Sequence, residues 1–309
     1  MPVGRVGCTM SSDDSADPLS LGGVIPPTIT AFHDDESVDY ETTAAHARFV
    51  VDRGVDGVFP LGTNGEFALL DADERAAVVA AVVEEVGDEV PVIAGVGAES
   101  TYHTVRNAER AADAGADGVV VVTPYYYPLD EAGALAHYRR IANAIDRPIY
   151  VYNIPDRTGN DLSAETLAGM AGIDAIAGMK DSSKDVPWLG RAIATNPDLA
   201  VLTGTDSLQF VGRALGGVGG VSAVSNALPE LVVDLHEAYE AGDLDHALDL
   251  QNTLYEVRAA FEAGPYLAGV KGALSLRGFD AGPLRSPLRR MSDEQEATLE
   301  RELRDLGVL

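Results

Sequence analysis

Lys180 directly follows a short apolar run, residues 175–179, which predicts a buried strand. The chain has three lysines, Lys180, Lys184 and Lys271, beside 19 arginines and 49 acidic residues, so a lysine at this place calls for a reason. An amine at the end of a buried strand loses hydration and its pKa falls, and a neutral amine can attack a ketone to form an imine. The stretch therefore indicates Schiff-base chemistry, with a surface lysine in a strand-to-helix loop as the alternative.

A second polar group, named here the 62–66 turn, has the sequence Gly62-Thr63-Asn64-Gly65-Glu66 and follows another predicted strand. Its glycines favour a tight turn with free backbone N–H groups, and Thr63 and Asn64 add two small polar side chains. Such a turn can hold a carboxylate, although taken alone it also fits an ordinary glycine turn.

Aromatic residues and an arginine follow two further predicted strands. Residues 125–127 are three tyrosines in succession, which alone could form a packing corner. Tyr152 ends the next strand, and Arg157, five residues later, can grip a carboxylate through two hydrogen bonds. Together with Lys180 and the 62–66 turn, these residues offer a nucleophile, a proton-transferring phenol and two anion-binding groups.

The elements that position these groups are short apolar runs alternating with longer amphipathic segments, the pattern of repeated βα units. Eight alternations without a surplus strand, and without a Gly-rich phosphate loop after the first strand, predict an α/β fold of the closed (β/α)8 TIM-barrel type rather than an open doubly wound sheet. Active sites of such barrels lie at the C-terminal ends of the strands, so the four groups are expected to converge on one rim. The strands are predicted at 24–30, 57–61, 92–95, 118–123, 149–152, 175–179, 200–203 and 219–223, and the helices at 40–52, 73–85, 102–114, 131–144, 164–170, 186–195, 208–214 and 229–239.

The pattern divides the chain into three parts. Residues 1–20 are polar, lack the apolar core of a signal peptide and predict a disordered leader. Residues 21–240 are predicted to form the barrel, and residues 241–309 a C-terminal helical extension with three helices near 244–263, 266–276 and 292–306. Since no segment reaches 18 uncharged apolar residues, no membrane span is expected.

The amino-acid composition limits the classes of partner and ligand that this protein is expected to bind. A formal net charge of −27 and a sequence pI near 4.3 oppose binding to nucleic acid or to an anionic membrane, since both are polyanions. Dispersed acid with scarce lysine is typical of a protein from a high-salt cytoplasm, where charge is screened over a few ångströms. The single cysteine, Cys8, and six scattered histidines offer no zinc-type spacing, so no metal is expected.

Four motifs, in this order and at these separations, resemble the dihydrodipicolinate synthase and N-acetylneuraminate lyase family of class I aldolases. The resemblance covers roughly residues 21–306 and implies a (β/α)8 barrel with extra C-terminal helices. It also implies a small-molecule 2-oxo acid substrate, a homotetramer built as a dimer of dimers, and no metal or organic cofactor. The motifs are the 62–66 turn, the tyrosine pair before Pro128, Tyr152-Asn153-Ile154-Pro155 and Gly178-Met179-Lys180-Asp181.

The resemblance further implies roles for individual residues. Lys180 matches the imine-forming lysine and Tyr152 the proton-transfer residue, while Thr63 and Tyr126, the latter from a neighbouring subunit, would complete a proton relay. Thr63 and Asn64 would bind the carboxylate of the 2-oxo acid. The family often has threonine where Asn64 stands, and asparagine alters one hydrogen bond of that site.

The rest of the substrate is implied to meet three other residues. Arg157 matches the arginine that, in dipicolinate synthases, holds the carboxylate of the second substrate. Gly204 and Asp206 belong to a rim loop that contributes to the family's substrate pocket. By contrast, Trp188 is interpreted as a packing residue, Glu66 as orienting its turn rather than acting as a base, and the histidines as surface or packing residues. Lys271 is assigned no chemistry.

These residues predict a pyruvate-dependent lyase that cleaves or forms a C–C bond of a 2-oxo-3-deoxy sugar acid or a 4-hydroxy-2-oxo acid through a Schiff base on Lys180. The main alternative is 4-hydroxy-tetrahydrodipicolinate synthase, which condenses pyruvate with aspartate semialdehyde and which Arg157 favours. A dehydratase or decarboxylase acting on the same imine and a non-catalytic sugar-acid-binding barrel are further alternatives.

Overall fold

A computed structural model describes residues 21–309. The predicted leader at 1–20 lies outside the described residues. Within the described part, the backbone forms seven parallel strands: β1 (Gly23–Val24), β2 (Ile93–Gly95), β3 (Gly118–Val122), β4 (Ile149–Asn153), β5 (Ile176–Asp181), β6 (Ala200–Thr203) and β7 (Gly219–Gly220).

These strands form one sheet in the order β1-β7-β6-β5-β4-β3-β2, and residues 56–60 close the ring between its two edges. On one side the amide of Asp56 donates to Val24 O at 2.9 Å, and on the other Val58 forms a parallel bridge with Val92. Eight extended segments therefore surround one axis, as the predicted (β/α)8 barrel requires.

The first two extended segments are shorter than the sequence pattern predicts, because prolines interrupt them. Pro26 and Pro27 follow β1, and Pro60 follows the bridge at Val58; none of them has an N–H group to extend a ladder. The predicted strand at 57–61 accordingly appears as a single bridge. It still holds the 62–66 turn at the barrel rim.

Helices follow the strands and cover the outside of the barrel. Several begin at a side chain that accepts a hydrogen bond from the first turn, as Ser100 does from His103 N and Asp185 from Trp188 N. Their bounds lie within three residues of the predicted ones, except for α5, which the sequence pattern did not predict. The helices are α1 (Tyr40–Val51), α2 (Ala72–Val86), α3 (Thr101–Asp113), α4 (Glu131–Ala142), α5 (Pro155–Thr158), α6 (Ala164–Ala171), α7 (Val186–Thr195), α8 (Gln209–Ala214), α9 (Pro229–Glu240), α10 (Leu244–Ala260), α11 (Tyr266–Leu276) and α12 (Asp293–Asp305).

Two apolar layers hold the fold together. One lies inside the barrel, where Phe59, Val120, Tyr150 and Leu202 pack together, and the other lies between the strands and the surrounding helices. Helices α10 to α12 pack on that outer layer, with Leu254 and Leu299 fully buried. The division of the chain into a barrel at 21–240 and a helical extension at 241–309 stays a prediction. None of the helices described over residues 21–309 is both long and apolar enough to cross a membrane.

Candidate active site

Lys180 and Tyr152 face each other across two neighbouring strands. In the parallel pairing of β4 with β5, Tyr152 lies opposite Lys180, and residues paired in this way point to the same face of a sheet. That face is the barrel interior, where the Lys180 Nζ lies 3.4 Å from the centroid of the Tyr152 ring and 5.6 Å from that of Phe59. Both side chains of the pair are buried.

Burial changes the protonation of this pair. It lowers the pKa of Lys180, because the ammonium loses hydration that the attraction of Tyr152 and of nearby carboxylates replaces only in part. Burial also acts to raise the pKa of Tyr152, but the positive charge of Lys180 and hydrogen bonds from Lys180, Thr63 and Ser182 outweigh it, so the phenol pKa falls. Both pKa values thus fall, so the neutral amine and the ionised phenol are each more accessible than in water, which suits proton transfer at this pair.

Gly204 makes room for the lysine side chain. A Cβ at this position would lie 2.2 Å from Ser182 Oγ and 2.9 Å from Lys180 Cε. Ser182 in turn donates a hydrogen bond to Gly204 O at 2.9 Å. The loop after β6 therefore lies directly against the amine-bearing strand, and no larger residue fits at Gly204.

The 62–66 turn opens into the same cavity. Thr63 and Asn64 line it beside Lys180, and Asn64 is buried. The Asn64 Nδ2 has no hydrogen-bond partner within residues 21–309. Because a buried donor without an acceptor is costly, this amide suits a ligand that supplies an acceptor, such as a carboxylate oxygen.

The cavity has a volume of about 330 Å³ and continues past Lys180 to a polar wall. Asp206 is the centre of this wall: its carboxylate accepts hydrogen bonds from Ser222 Oγ at 2.5 Å and from Tyr266 Oη at 3.3 Å. The Arg258 Nε lies 3.4 Å from Asp206, and its guanidinium covers the Tyr266 ring at 3.6 Å from the centroid. Asp206 therefore positions two side chains that sequence reasoning did not identify.

Arg157 lies on α5, at the rim of the cavity. Its side chain is exposed, and within the part of the chain that the structure describes its guanidinium has neither a hydrogen-bond nor an ion-pair partner. Arg157 also lines a second opening of about 290 Å³, named here the apolar cleft, whose walls include Phe67, Tyr125 and Leu288. The apolar cleft and the Lys180 cavity meet at Thr63 and Arg157.

Tyr126 is the one predicted site residue that the structure does not bring to the Lys180 cavity of its own chain. It is 83% exposed and has a left-handed backbone, with φ +79°. Its neighbour Tyr125 turns inward and packs edge-on against Phe67, with ring centroids 6.4 Å apart. An outward Tyr126 is the arrangement that a residue acting in a neighbouring subunit requires.

All other predicted site residues line one cavity: Thr63, Asn64, Tyr152, Arg157, Lys180, Gly204 and Asp206. Sequence reasoning missed Ser182, Arg258 and Tyr266. Ser182 stands two residues beyond Lys180 and could have been found from that position, whereas Arg258 and Tyr266 lie on and at the start of C-terminal helices without a local motif. Among residues 21–309 there is no group of three or more His, Cys, Asp or Glu side chains arranged to hold a metal ion.

Comparisons with known proteins agree with this geometry. The sequence model of the dihydrodipicolinate synthetase family matches residues 20–306. A protein of Halobacterium salinarum, named an uncharacterised DapA-like lyase, is 64% identical over 295 residues, which are 96% of this chain and 97% of the relative. A 4-hydroxy-tetrahydrodipicolinate synthase of Natronomonas pharaonis is 39% identical over 288 residues, covering 92% of this chain and 97% of that protein.

Among solved structures, the E. coli K12 prophage protein YagE, of the dihydrodipicolinic acid synthase family and in complex with pyruvate, superposes with a TM-score of 0.90. It is 32% identical and covers 93% of this chain and 99% of its own. The predicted (β/α)8 fold with C-terminal helices and the predicted lyase class are confirmed. A barrel rim with a buried lysine beside a tyrosine, and a family match over nearly the whole described chain, place this protein in the dihydrodipicolinate synthetase family.

Proposed function

We propose that this enzyme is a pyruvate-dependent aldolase that cleaves a 2-oxo-3-deoxy sugar acid, or a 4-hydroxy-2-oxo acid, through an imine on Lys180. The observation that carries the proposal is the buried Lys180 Nζ, 3.4 Å from the Tyr152 ring centroid and in one cavity with the 62–66 turn. Burial lowers the pKa of the amine and so favours its neutral form, and only a neutral amine attacks a ketone.

The residues suggest the order of bond changes. Lys180 Nζ attacks C2 of the 2-oxo acid, and water leaves as the protonated imine forms. Tyr152, left as a phenolate after giving its proton to the carbinolamine hydroxyl that departs as water, takes the proton of the C4 hydroxyl. The C3–C4 bond then breaks, and its electron pair moves into the iminium to give an enamine and an aldehyde. Protonation of the enamine and hydrolysis by one water release pyruvate and restore Lys180, so the net reaction is cleavage into pyruvate and the aldehyde.

The polar wall of the cavity supports the proposed substrate class. Thr205, Asp206, Arg258 and Tyr266 line the cavity and present both hydrogen-bond donors and acceptors. A polyhydroxylated chain can exchange hydrogen bonds with such a wall, whereas a short aliphatic aldehyde has no hydroxyl groups with which to do so. We therefore take 2-oxo-3-deoxygluconate or a close relative as the leading substrate.

A second candidate is 4-hydroxy-tetrahydrodipicolinate synthase. It is favoured by the free guanidinium of Arg157 at the rim, which could hold the carboxylate of aspartate semialdehyde, and by the names of relatives at 36–40% identity. The more similar relative from Halobacterium salinarum carries no such name, so similarity alone does not select this activity.

Assembly and location belong to the same proposal. We infer a homotetramer, a dimer of dimers, in which Tyr126 of one subunit approaches Thr63 of another through the apolar cleft; the 83% exposure of Tyr126 and the contact between cleft and cavity at Thr63 support this. A high-salt cytoplasm remains the predicted location, on the strength of the net charge of −27.

The test is to incubate the protein with a panel of 2-oxo-3-deoxy sugar acids and 4-hydroxy-2-oxo acids and to measure released pyruvate. Borohydride added with pyruvate is expected to leave a covalent adduct on Lys180. Lys180→Arg should form none, because a guanidinium stays protonated. An adduct on the exposed Lys184 or on Lys271, or no turnover of any 2-oxo acid, would refute the proposal.

A further inference from the structure

Lys271 of α11 lies in a site built for an ammonium group. Its Nζ donates to Thr30 O at 2.8 Å and to Pro283 O at 2.7 Å, and lies 3.1 Å from Glu66 Oε1. An ammonium has three N–H donors; the two carbonyls accept two of them, and the Glu66 carboxylate lies beside the charge. In a chain with 19 arginines and three lysines, a buried lysine here fits because a planar guanidinium would bring five donors to three acceptors.

Glu66 is the last residue of the 62–66 turn, and its side chain is fully buried. Besides Lys271, it is held by the backbone amide of Arg285, which donates to Glu66 Oε2 at 3.0 Å. Lys271 and Arg285 both come from the C-terminal part of the chain, after residue 240. One carboxylate thus ties the turn to the helical extension in two places.

The turn needs such stabilising contacts, because its backbone is strained. Glu66 has φ +53° and Leu61, just before the turn, has φ +61°, both in the left-handed region that residues with a side chain rarely adopt. Gly65 is packed so closely that a Cβ would lie 3.0 Å from Thr28 O. Thr30 Oγ1 also donates to Gly65 O at 2.8 Å, and Thr30 O is itself an acceptor of Lys271.

The opposite side of the same turn carries Thr63 and Asn64 into the Lys180 cavity. Two backbone hydrogen bonds, Gly65 N to Gly62 O at 3.1 Å and Glu66 N to Thr63 O at 3.2 Å, connect the two sides of this five-residue turn. A shift of the Glu66 carboxylate therefore moves the groups that face the substrate carboxylate.

We propose that the buried Lys271–Glu66 ion pair positions the 62–66 turn for the carboxylate of the 2-oxo acid, so that the C-terminal extension sets the affinity for pyruvate. Lys271 and Glu66 touch no substrate and are positioning residues. This inference rests on the proposed function for its ligand, but the geometry of the turn can be measured without any turnover.

The first variant is Lys271→Met, which keeps the length of the side chain and removes its charge and donors. Half-saturation of borohydride trapping by pyruvate should rise about 10- to 100-fold, since a misplacement of about 1 Å is enough for such an effect. Trapping should still reach completion at high pyruvate concentration, because Lys180 is unchanged. Hydrogen exchange at the amides of Gly65 and Glu66 should be faster than in the wild type.

The matched control is Leu303→Ala in α12. Leu303 is fully buried in the outer apolar layer, so its truncation destabilises the extension without contact to the turn. This control should lower Tm and leave the half-saturation by pyruvate unchanged. Equal half-saturation in Lys271→Met, Leu303→Ala and the wild type would overturn the proposal.

A second variant is needed if Lys271→Met does not fold because the buried Glu66 carboxylate has lost its partner. The double variant Glu66→Met with Lys271→Met removes both charges, and replacing a buried pair by apolar side chains of similar size often restores stability. We expect Tm to recover while half-saturation by pyruvate stays raised and exchange in the turn stays fast. If affinity returned together with Tm, the pair would have a merely structural role and the proposal would be wrong.

Failure of the proposed function looks different from failure of this inference. If the wild type trapped no pyruvate, the proposed function would fall, and exchange at Gly65 and Glu66 would still decide whether the pair holds the turn. If the wild type trapped pyruvate and the variants did so with wild-type half-saturation, this inference alone would fall.

Discussion

The Lys180 Nζ lies over the Tyr152 ring, 3.4 Å from its centroid, because the parallel register of β4 and β5 sets the two residues opposite each other. A proton can therefore move between amine, phenol and substrate without a change in the backbone. Burial lowers the pKa of Lys180, and the positive charge of Lys180 lowers the pKa of Tyr152 despite its burial, which favours this exchange.

Tyr152→Phe should lower kcat by about 10²- to 10⁴-fold, the range typical for loss of a general acid–base group. The KM for the 2-oxo acid should change little, because Thr63 and Asn64 keep their places in the cavity. Steady-state release of pyruvate measures both constants.

The matched control for this variant is Tyr138→Phe. Tyr138 is equally buried, but its hydroxyl donates to Val121 O at 2.9 Å on the outer side of the sheet, away from the cavity. It should lower Tm slightly and leave kcat unchanged. A kcat of Tyr152→Phe within threefold of the wild type would contradict proton transfer by Tyr152.

Activity should depend on association, because Tyr126 points away from the cavity of its own chain. Tyr126→Phe and Lys180→Ala should each be impaired alone, and mixing the two proteins under conditions of subunit exchange should restore part of the activity. A hybrid dimer regains one site with both residues. Two differently tagged proteins, co-purified and then assayed, provide the measurement.

Mixing Lys180→Ala with Lys180→Arg is the control, since no hybrid of these two has a complete site. Co-purified hybrids of Tyr126→Phe and Lys180→Ala that remain as inactive as the parents would speak against a relay shared between subunits.

Much of the site could be predicted because it lies on regular strand ends. Lys180 and Tyr152 lie at the ends of apolar runs, and the repeat of βα units predicts that both lie on one rim. The strand lengths were harder to predict, since Pro26, Pro27 and Pro60 shorten the first two ladders without interrupting the apolar pattern.

The residues that sequence reasoning missed come from contacts distant in the chain. Arg258 and Tyr266 reach the cavity only because α10 and α11 pack back over the barrel, where both meet the carboxylate of Asp206. Lys271 likewise meets Glu66 across more than 200 residues. No local sequence pattern indicates such long-range contacts, so they become visible only in the folded structure.

Stability should fall in mild acid because three histidines are buried. Burial lowers the pKa of His46, His137 and His236 to about 4 each, from 6.5. The unfolded chain therefore binds more protons in this window, so the stability present above pH 6.5 is lost as pH falls toward 4, by about 1.4 kcal/mol per pH unit and histidine. Urea unfolding between pH 7.5 and 5 measures the slope.

His236→Gln should flatten this slope, because glutamine cannot be protonated and its amide can still donate to Gln209 Oε1, the partner of the His236 ring at 3.1 Å. His246→Gln, at an exposed position, is the control and should leave the slope unchanged. A slope insensitive to His236→Gln would show that other groups govern the acid response.

Salt should stabilise the protein. With a net charge of −27, surface carboxylates repel one another over a Debye length of about 30 Å at 0.01 M salt, but over only about 3 Å at 1 M. Tm is expected to rise steadily over this range, and equally in KCl and NaCl if ionic strength is the cause. An unchanged Tm would refute the prediction of a high-salt habitat.

The choice of substrate depends on Arg157, since the other arginine of the cavity is already paired. Arg258 lies 3.4 Å from Asp206 and 2.9 Å from Glu262, whereas within residues 21–309 the guanidinium of Arg157 meets no carboxylate. Arg157 is therefore the arginine of the cavity that is available to a second carboxylate of the substrate. A neutral sugar chain has no carboxylate at its distal end to pair with this guanidinium.

Arg157→Ala should then raise KM by about 10- to 100-fold for 4-hydroxy-2-oxoglutarate, which loses a charge-assisted pair worth roughly 1.5–3 kcal/mol. For 2-oxo-3-deoxygluconate, whose distal end is uncharged, KM should rise less than threefold. Arg157→Lys keeps the charge but not the bidentate geometry. For 4-hydroxy-2-oxoglutarate, its KM should therefore lie between those of the wild type and Arg157→Ala. Equal increases in KM for both substrates would mean that Arg157 does not bind the distal carboxylate. Condensation of pyruvate with aspartate semialdehyde, if far faster than any cleavage, would make lysine biosynthesis the better assignment.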